Sequence, residues 1–255
     1  MRKLYRIEYR GTPRHVIEDG GAWRLLDGDP FARHSPGEAI EHDGHRLLAP
    51  VLPSKLVCIG LNYRDHAAEQ NKPLPSSPLM FIKPSTAVVG PGEAIVLPPD
   101  VGRIDHEAEV GVVIGRRARH VKEADARGYV LGLTCLNDVT ARELQQTGAQ
   151  YTHVKGFDTF APIGPCVALD ADYTAAGGVR VQGLVNGVTR QDSSTAQLVF
   201  SIDYLIAYIT RVMTLLPGDI IATGTPPGIG PLQSGDRVTV AVDGVGALTN
   251  PVTGG

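Results

Sequence analysis

The stretch Asp105-His106-Glu107-Ala108-Glu109-Val110-Gly111-Val112-Val113-Ile114-Gly115 alternates apolar residues with Glu107, Glu109 and Gly111. With a side-chain period of two, a strand here aims both carboxylates at one face and Ala108, Val110, Val112 and Ile114 at the other. Two anions side by side on a strand repel unless water or a cation separates them. A second apolar run, residues 129–136, leads into Asn137-Asp138-Val139-Thr140. If the two strands are neighbours, Asp138 brings a third carboxylate to the same place. Three such oxygen donors suit Mg²⁺ or Mn²⁺ and leave coordination positions open. A Glu-x-Glu pair alone is more often a solvated strand face, so the reading needs support from elsewhere in the chain.

The chain has 255 residues, 42% hydrophobic and 20% charged, enough for one large domain with a small appendage. A formal net charge of −3 without a Lys/Arg run gives no electrostatic reason to expect nucleic acid. Cys58, Cys135 and Cys166 are far apart and sit in apolar runs, so they read as buried thiols of a cytoplasmic protein. No apolar stretch approaches the ~18 residues of a membrane span, and the basic N-terminus is followed by no apolar segment. With 30 Gly, 19 Pro and only 5% aromatics, many short strands joined by tight turns are expected, with helix in the minority.

Residues 1–52 read as a small N-terminal β unit in which residues 4–9 and 22–26 are partner strands and Gly20-Gly21 is a turn. Residues 53–255 form the larger domain. There, residues 55–60 read as a buried strand leading into a short helix that places His66 and Glu69 three apart on one side. The pair is either an acid/base couple or an exposed salt bridge. Residues 72–78 have the composition of a mobile loop that could act as a lid. Residues 140–146 read as one or two helical turns carrying Arg142 and Gln145 together, whereas Lys155 falls in a polar interlude. Residues 201–212 form the clearest helix, with Ser201 as N-cap. The loop 223–230, with Thr225 in it, has glycines that let backbone N–H groups approach an anion, yet it lacks the spacing of a nucleotide-binding fingerprint.

Taken together, Gly60-Leu61-Asn62-Tyr63 with His66 and Glu69, the 105–109 stretch, Asn137 to Arg142, Lys155 to Phe160 and Gly224-Thr225-Pro226 resemble the fumarylacetoacetate hydrolase family, in unbroken order over residues 55–250. The resemblance implies a mainly β (α+β) fold, a mixed β-sheet roll with few short helices, and a homodimer. It implies Glu107, Glu109 and Asp138 as ligands of Mg²⁺ or Mn²⁺. His66 and Glu69 become the acid/base dyad of a lid, Lys155 a catalytic and substrate-binding residue, and Arg142, Gln145 and Thr225 substrate contacts. His106 stands where many relatives have Tyr, and its place opposite the carboxylates reads as packing.

Family members act on 2-oxo acids, and hydrolysis of a C–C bond, loss of CO₂ and movement of a double bond all pass through an enolate. A metal on three carboxylates can stabilise that enolate, and Arg142 and Lys155 offset the remaining negative charge before an anionic substrate. The expected activity is hydrolysis of a 2,4-dioxo acid such as an acylpyruvate. The alternatives are an isomerase or decarboxylase of the 2-hydroxyhepta-2,4-diene-1,7-dioate type and an oxaloacetate decarboxylase. A reading from another class, a binding module in which metal serves folding alone, leaves the cations and the His66–Glu69 pair without a task.

Overall fold

The alternation in residues 108–114 builds the middle of the molecule. In the computed structural model, which describes residues 1–255, the strand Ala108–Ile114 is buried along its whole length. It pairs antiparallel with Val130–Asn137 on one side and Ile220–Ala222 on the other. Lys55–Gly60 lies parallel to Ile220–Ala222, and Leu79–Pro84 closes that edge. Beyond Val130–Asn137 comes Ala161–Ala168, giving a large mixed sheet.

Ala108, Val110, Val112 and Ile114 all enter one core cluster, whereas Val113 packs on the opposite face with Leu56, Cys58, Leu136 and Ile220. The first cluster also takes Val181, Val240, Val242 and Leu248 from a five-stranded sheet. It takes Leu205, Ile206 and Ile209 from the helix Ile202–Val212 as well. That second sheet and that helix therefore cover one face of the first. Each fully buried aliphatic side chain stabilises by about 1.5–3 kcal/mol, so this two-sided burial holds the sheet flat against its cover. Ser201 caps the long helix by accepting the Tyr204 N–H on its hydroxyl at 3.1 Å. The other helices are short: Arg64–Glu69 (α1), Arg142–Gln146 (α2) and Tyr151–Lys155 (α3). The fold is mainly β, as expected, and no helix is long and apolar enough to cross a membrane. All three cysteines are free and buried.

Two details differ from the sequence reading. Residues 4–9 do not pair with residues 22–26, because Thr12–Asp19 lies between them as a strand of its own. The extra turn is Arg10-Gly11, with φ of 51° and 76°, the doubly left-handed backbone of a two-residue hairpin. Arginine is not a usual first residue of such a turn, which hid it. The resulting meander joins the large sheet through Lys3↔Ala168 and Leu4↔Val167.

The second difference is that residues 105–115 are not one strand. Ile104–His106 belongs to a small sheet with Thr140–Ala141 and Gly230–Pro231, and Ala108–Ile114 belongs to the large one. Glu107 sits at the break. Its N–H donates to Asn137 Oδ1 at 2.9 Å and its carbonyl accepts the Asp138 N–H at 2.8 Å, so side-chain and loop bonds replace the ladder there.

The edge of the core is pinned by Asp219, which is fully buried. Its carboxylate accepts from the backbone N–H of Ser54, Lys55 and Leu216, from the Ser54 hydroxyl, and from Lys55 Nζ at 2.5 Å. Asp219→Ala leaves those donors unpaired and is expected to cost about 3–5 kcal/mol in denaturant unfolding. A loss below ~1 kcal/mol would show that water replaces the carboxylate.

Candidate metal centre and active site

The strand ends described above bring three carboxylates to one point. Glu109 is the second residue of Ala108–Ile114, Glu107 precedes that strand at the break between sheets, and Asp138 follows Val130–Asn137, its neighbour. One oxygen of each lies within 4.8 Å of the others, and all three side chains are buried. Three anions packed this closely need compensation.

The protein supplies part of it. Lys155 Nζ donates to Glu107 at 2.7 Å and to Asp138 at 2.5 Å. Lys83 Nζ donates to the other Asp138 oxygen at 2.6 Å and to the carbonyls of Val139 and Phe160. Arg142 donates to Glu107, Asp105 and Gln145. Although burial opposes its charge, Lys155 and Arg142 outweigh that and hold the Glu107 carboxyl at about 2. Burial works against the charge of Lys155 too, yet Asp138 and Glu107 push its pKa up, so it stays an ammonium. Glu109 differs. No cation of the protein touches it, only the Gly224 N–H at 2.8 Å. Burial and then the charge of Asp138 push its carboxyl well above the usual range.

The donor set fits a hard divalent cation. All three groups are carboxylates, and one of them lacks a counter-ion. The nearest thiol, Cys58, is pushed well up by burial and then by Asp138, so it stays a neutral packing group.

His66 and Glu69 lie on α1, directly after the strand Lys55–Gly60. His66 is 5% exposed, so the pair is not the exposed salt bridge that the spacing also allowed. His66 Nδ1 donates to Glu69 at 2.9 Å, and Gln70 Nε2 donates to His66 Nε2 at 2.8 Å. The carboxylate fixes the tautomer, leaving Nε2 as the basic nitrogen. Glu69 also accepts the Gly228 N–H at 3.0 Å, which ties the dyad to the 223–230 loop.

One cavity of about 430 Å³ is lined by His66, Glu107, Glu109, Asp138, Arg142, Gln145, Lys155 and Thr225, together with Ile59, Leu61, Gln70, Lys72, Leu79, Gln146 and Tyr151. Every residue expected as a metal ligand, acid/base group or substrate contact therefore lines it except Glu69, which stands behind His66. Three placements change the expected chemistry. Lys155 is not in a polar interlude but ends α3, 4% exposed. Arg142 and Lys155 are already committed to the carboxylates. The Thr225 hydroxyl donates to the Ala108 carbonyl at 3.0 Å and accepts from Gln191 Nε2 at 2.7 Å, so its proton is engaged.

His106 is buried as expected but not by packing alone: its Nδ1 donates to Gln191 Oε1 at 3.0 Å, an oxygen that also accepts the Ala108 N–H. The anions that the glycine loop 223–230 approaches are the protein's own carboxylates, Glu109 and Glu69. Lys83 escaped the sequence reading. Its signal was the alternation of the Leu79–Pro84 strand, which buries Phe81 and Lys83 on one face.

The model of the fumarylacetoacetate (FAA) hydrolase C-terminal domain matches residues 55–253. The chain belongs to the fumarylacetoacetate hydrolase family. It is 42% identical over 215 residues to a mitochondrial oxaloacetate tautomerase of Rattus norvegicus, covering 81% of this chain and 69% of the tautomerase. Its fold is similar to that of a 2-hydroxyhepta-2,4-diene-1,7-dioate isomerase from Mycobacterium marinum, with TM-score 0.91, 37% identity and coverage of 100% and 99% of the two chains. It is also similar to a fumarylacetoacetate hydrolase from Exiguobacterium antarcticum, with TM-score 0.89, 32% identity and both chains covered at 100%.

Calorimetric titration with Mg²⁺ or Mn²⁺ is expected to give one site per chain, and Glu109→Gln to weaken it about 10-fold or more. Unchanged affinity in that variant would remove Glu109 from the ligand set.

Proposed function

We propose that this protein is a divalent-metal-dependent enzyme that works on 2-oxo acids through their enolates, with hydrolysis of the C–C bond of a 2,4-dioxo acid as its reaction. The observation that carries the reading is Glu109, a buried carboxylate with no protein cation, beside two others and in the same cavity as His66 Nε2. A divalent cation held by Glu107, Glu109 and Asp138 would supply Lewis-acid stabilisation for a chelating carboxylate and 2-oxo group.

The residues of the chain account for the rest. His66, oriented by Glu69, takes a proton from water on Nε2. The hydroxide adds to the distal carbonyl, and the bond between that carbon and C3 breaks, releasing a carboxylic acid and the enolate of a 2-oxo acid. The imidazolium then returns its proton to C3. Lys155 takes no part as a base, because both carboxylates hold it protonated; with Lys83 and Arg142 it offsets the charge of Glu107 and Asp138 before an anionic substrate. The Gln70 amide now on His66 Nε2 must give way to the attacking water.

Keto–enol tautomerisation or double-bond movement is the second reading, favoured by the 42% identity to an oxaloacetate tautomerase and the fold likeness to an isomerase. The same imidazole would carry a proton between C3 and oxygen, and no water would be consumed.

Incubation with acylpyruvates and with oxaloacetate, following pyruvate, CO₂ and ultraviolet absorbance separately, distinguishes the outcomes. Pyruvate with an equivalent of carboxylic acid supports hydrolysis. CO₂ evolution beyond the uncatalysed rate overturns it in favour of decarboxylation, and an absorbance change alone favours the tautomerase. His66→Ala is expected to lower kcat by about 10²-fold with metal affinity intact.

A further inference from the structure

The basic nitrogen of the dyad is already occupied. With Nδ1 donating to Glu69, His66 Nε2 has a single lone pair, and the Gln70 amide N–H meets it at 2.8 Å. This is the lone pair that must accept a proton from water. No other side chain bonds Nε2, and the Gln70 side chain makes no other hydrogen bond within the protein.

Helix geometry builds the contact. His66 and Gln70 are four apart at the end of α1, so their side chains lie one above the other on one face. The Gln70 N–H donates to the His66 carbonyl at 3.2 Å. Asn71, with a left-handed φ of 51°, closes the helix by donating to the Ala68 carbonyl at 3.1 Å. The backbone under Gln70 is therefore held, while its half-buried side chain lines the cavity and has three rotatable bonds. The amide can move without the helix.

The neighbouring donors are committed elsewhere: Arg142 and Lys155 donate to carboxylates, and the Thr225 hydroxyl donates to the Ala108 carbonyl. The Gln70 amide is held only by a neutral imidazole. Once Nε2 takes a proton it becomes a donor itself, and the amide N–H needs another acceptor.

From this geometry we infer that Gln70 is a further catalytic residue, whose amide N–H passes from His66 Nε2 to the distal carbonyl oxygen of the substrate. The inference rests on the hydrolytic reading above. The exchange of partners frees Nε2 for the attacking water, and it places a donor on the oxygen that becomes an oxyanion when hydroxide adds. The reach is short, because the carbonyl under attack stands about one water molecule away from the base, as the amide does now. Without a distal carbonyl the amide stays on the imidazole and the base stays covered.

The test compares two reactions that share the metal and His66 but differ in the distal carbonyl. One is cleavage of an acylpyruvate, read as pyruvate released. The other is exchange of the C3 protons of 2-oxobutanoate in deuterium oxide with saturating Mg²⁺, read by NMR and counted as the part that His66→Ala abolishes. Gln70→Met keeps the length of the side chain and removes the donor; Gln70→Leu is a second variant of the same kind. Both are expected to lower kcat for cleavage about 10²-fold, through loss of an oxyanion donor. Both are expected to raise the exchange rate about fivefold, through loss of the hydrogen bond that covers the base. Calorimetric affinity for Mg²⁺ and for oxalate should stay as in the wild type. Any other pattern, with the two rates falling together, rising together or unchanged, overturns the inference and leaves the hydrolytic reading standing. Loss of Mg²⁺ and oxalate binding in both variants reduces Gln70 to a structural role and also overturns it. A wild-type protein that cleaves no acylpyruvate overturns the hydrolytic reading and the inference with it.

Discussion

Charge compensation at a buried cluster of carboxylates is the constraint on which the rest depends. Glu107, Glu109 and Asp138 sit close together out of water, an arrangement that would cost several kcal/mol per ion if left unpaired. Lys83 and Lys155 enter the same buried space, and each donates to Asp138. Elements far apart in sequence are thereby tied to one point: the edge strand Leu79–Pro84, the end of α3, and the two central strands. Only Glu109 remains without a cation, and that asymmetry gives the cluster its capacity to take one.

The fold makes this crowding tolerable by anchoring each carboxylate through the backbone. Glu107 and Asp138 are joined by Asp138 N–H to Glu107 carbonyl, and Asn137 holds the Glu107 N–H. Glu109 receives Gly224, whose φ of 100° suits glycine and whose added Cβ would lie 2.8 Å from Asn62 Cβ. The loop that carries Gly224 also delivers Gly228 to Glu69, so one glycine-rich segment orients both a cluster carboxylate and the partner of His66. Gln191 does the same on the far side, linking His106, Ala108 and Thr225 through one amide. A rigid, two-sided core behind Ala108–Ile114 keeps these partners in register.

Much of this was legible from local pattern. Period-two alternation in residues 108–114 set the two faces correctly, the Ser201 cap and apolar stripe marked the long helix, and the spacing of His66 and Glu69 placed them together. The doubly left-handed turn at Arg10-Gly11 was not legible, since its first residue is arginine and nothing local distinguishes it from a polar strand.

The sequence by itself determined most of the elements and the chemistry of their residues, because periodicity, capping and side-chain type act over a few positions. The tertiary structure alone decided which charges meet. Lys83 and Asp138 are 55 positions apart and Glu109 and Gly224 are 115 apart, and their contacts exist only because strand order folds those segments over one another. It also decided that Glu107 stands at a switch between two sheets and that Arg142 and Lys155 are spent on the protein's own carboxylates. Long-range pairing sets burial, and burial sets which ions must find partners, a property no window of neighbouring residues contains.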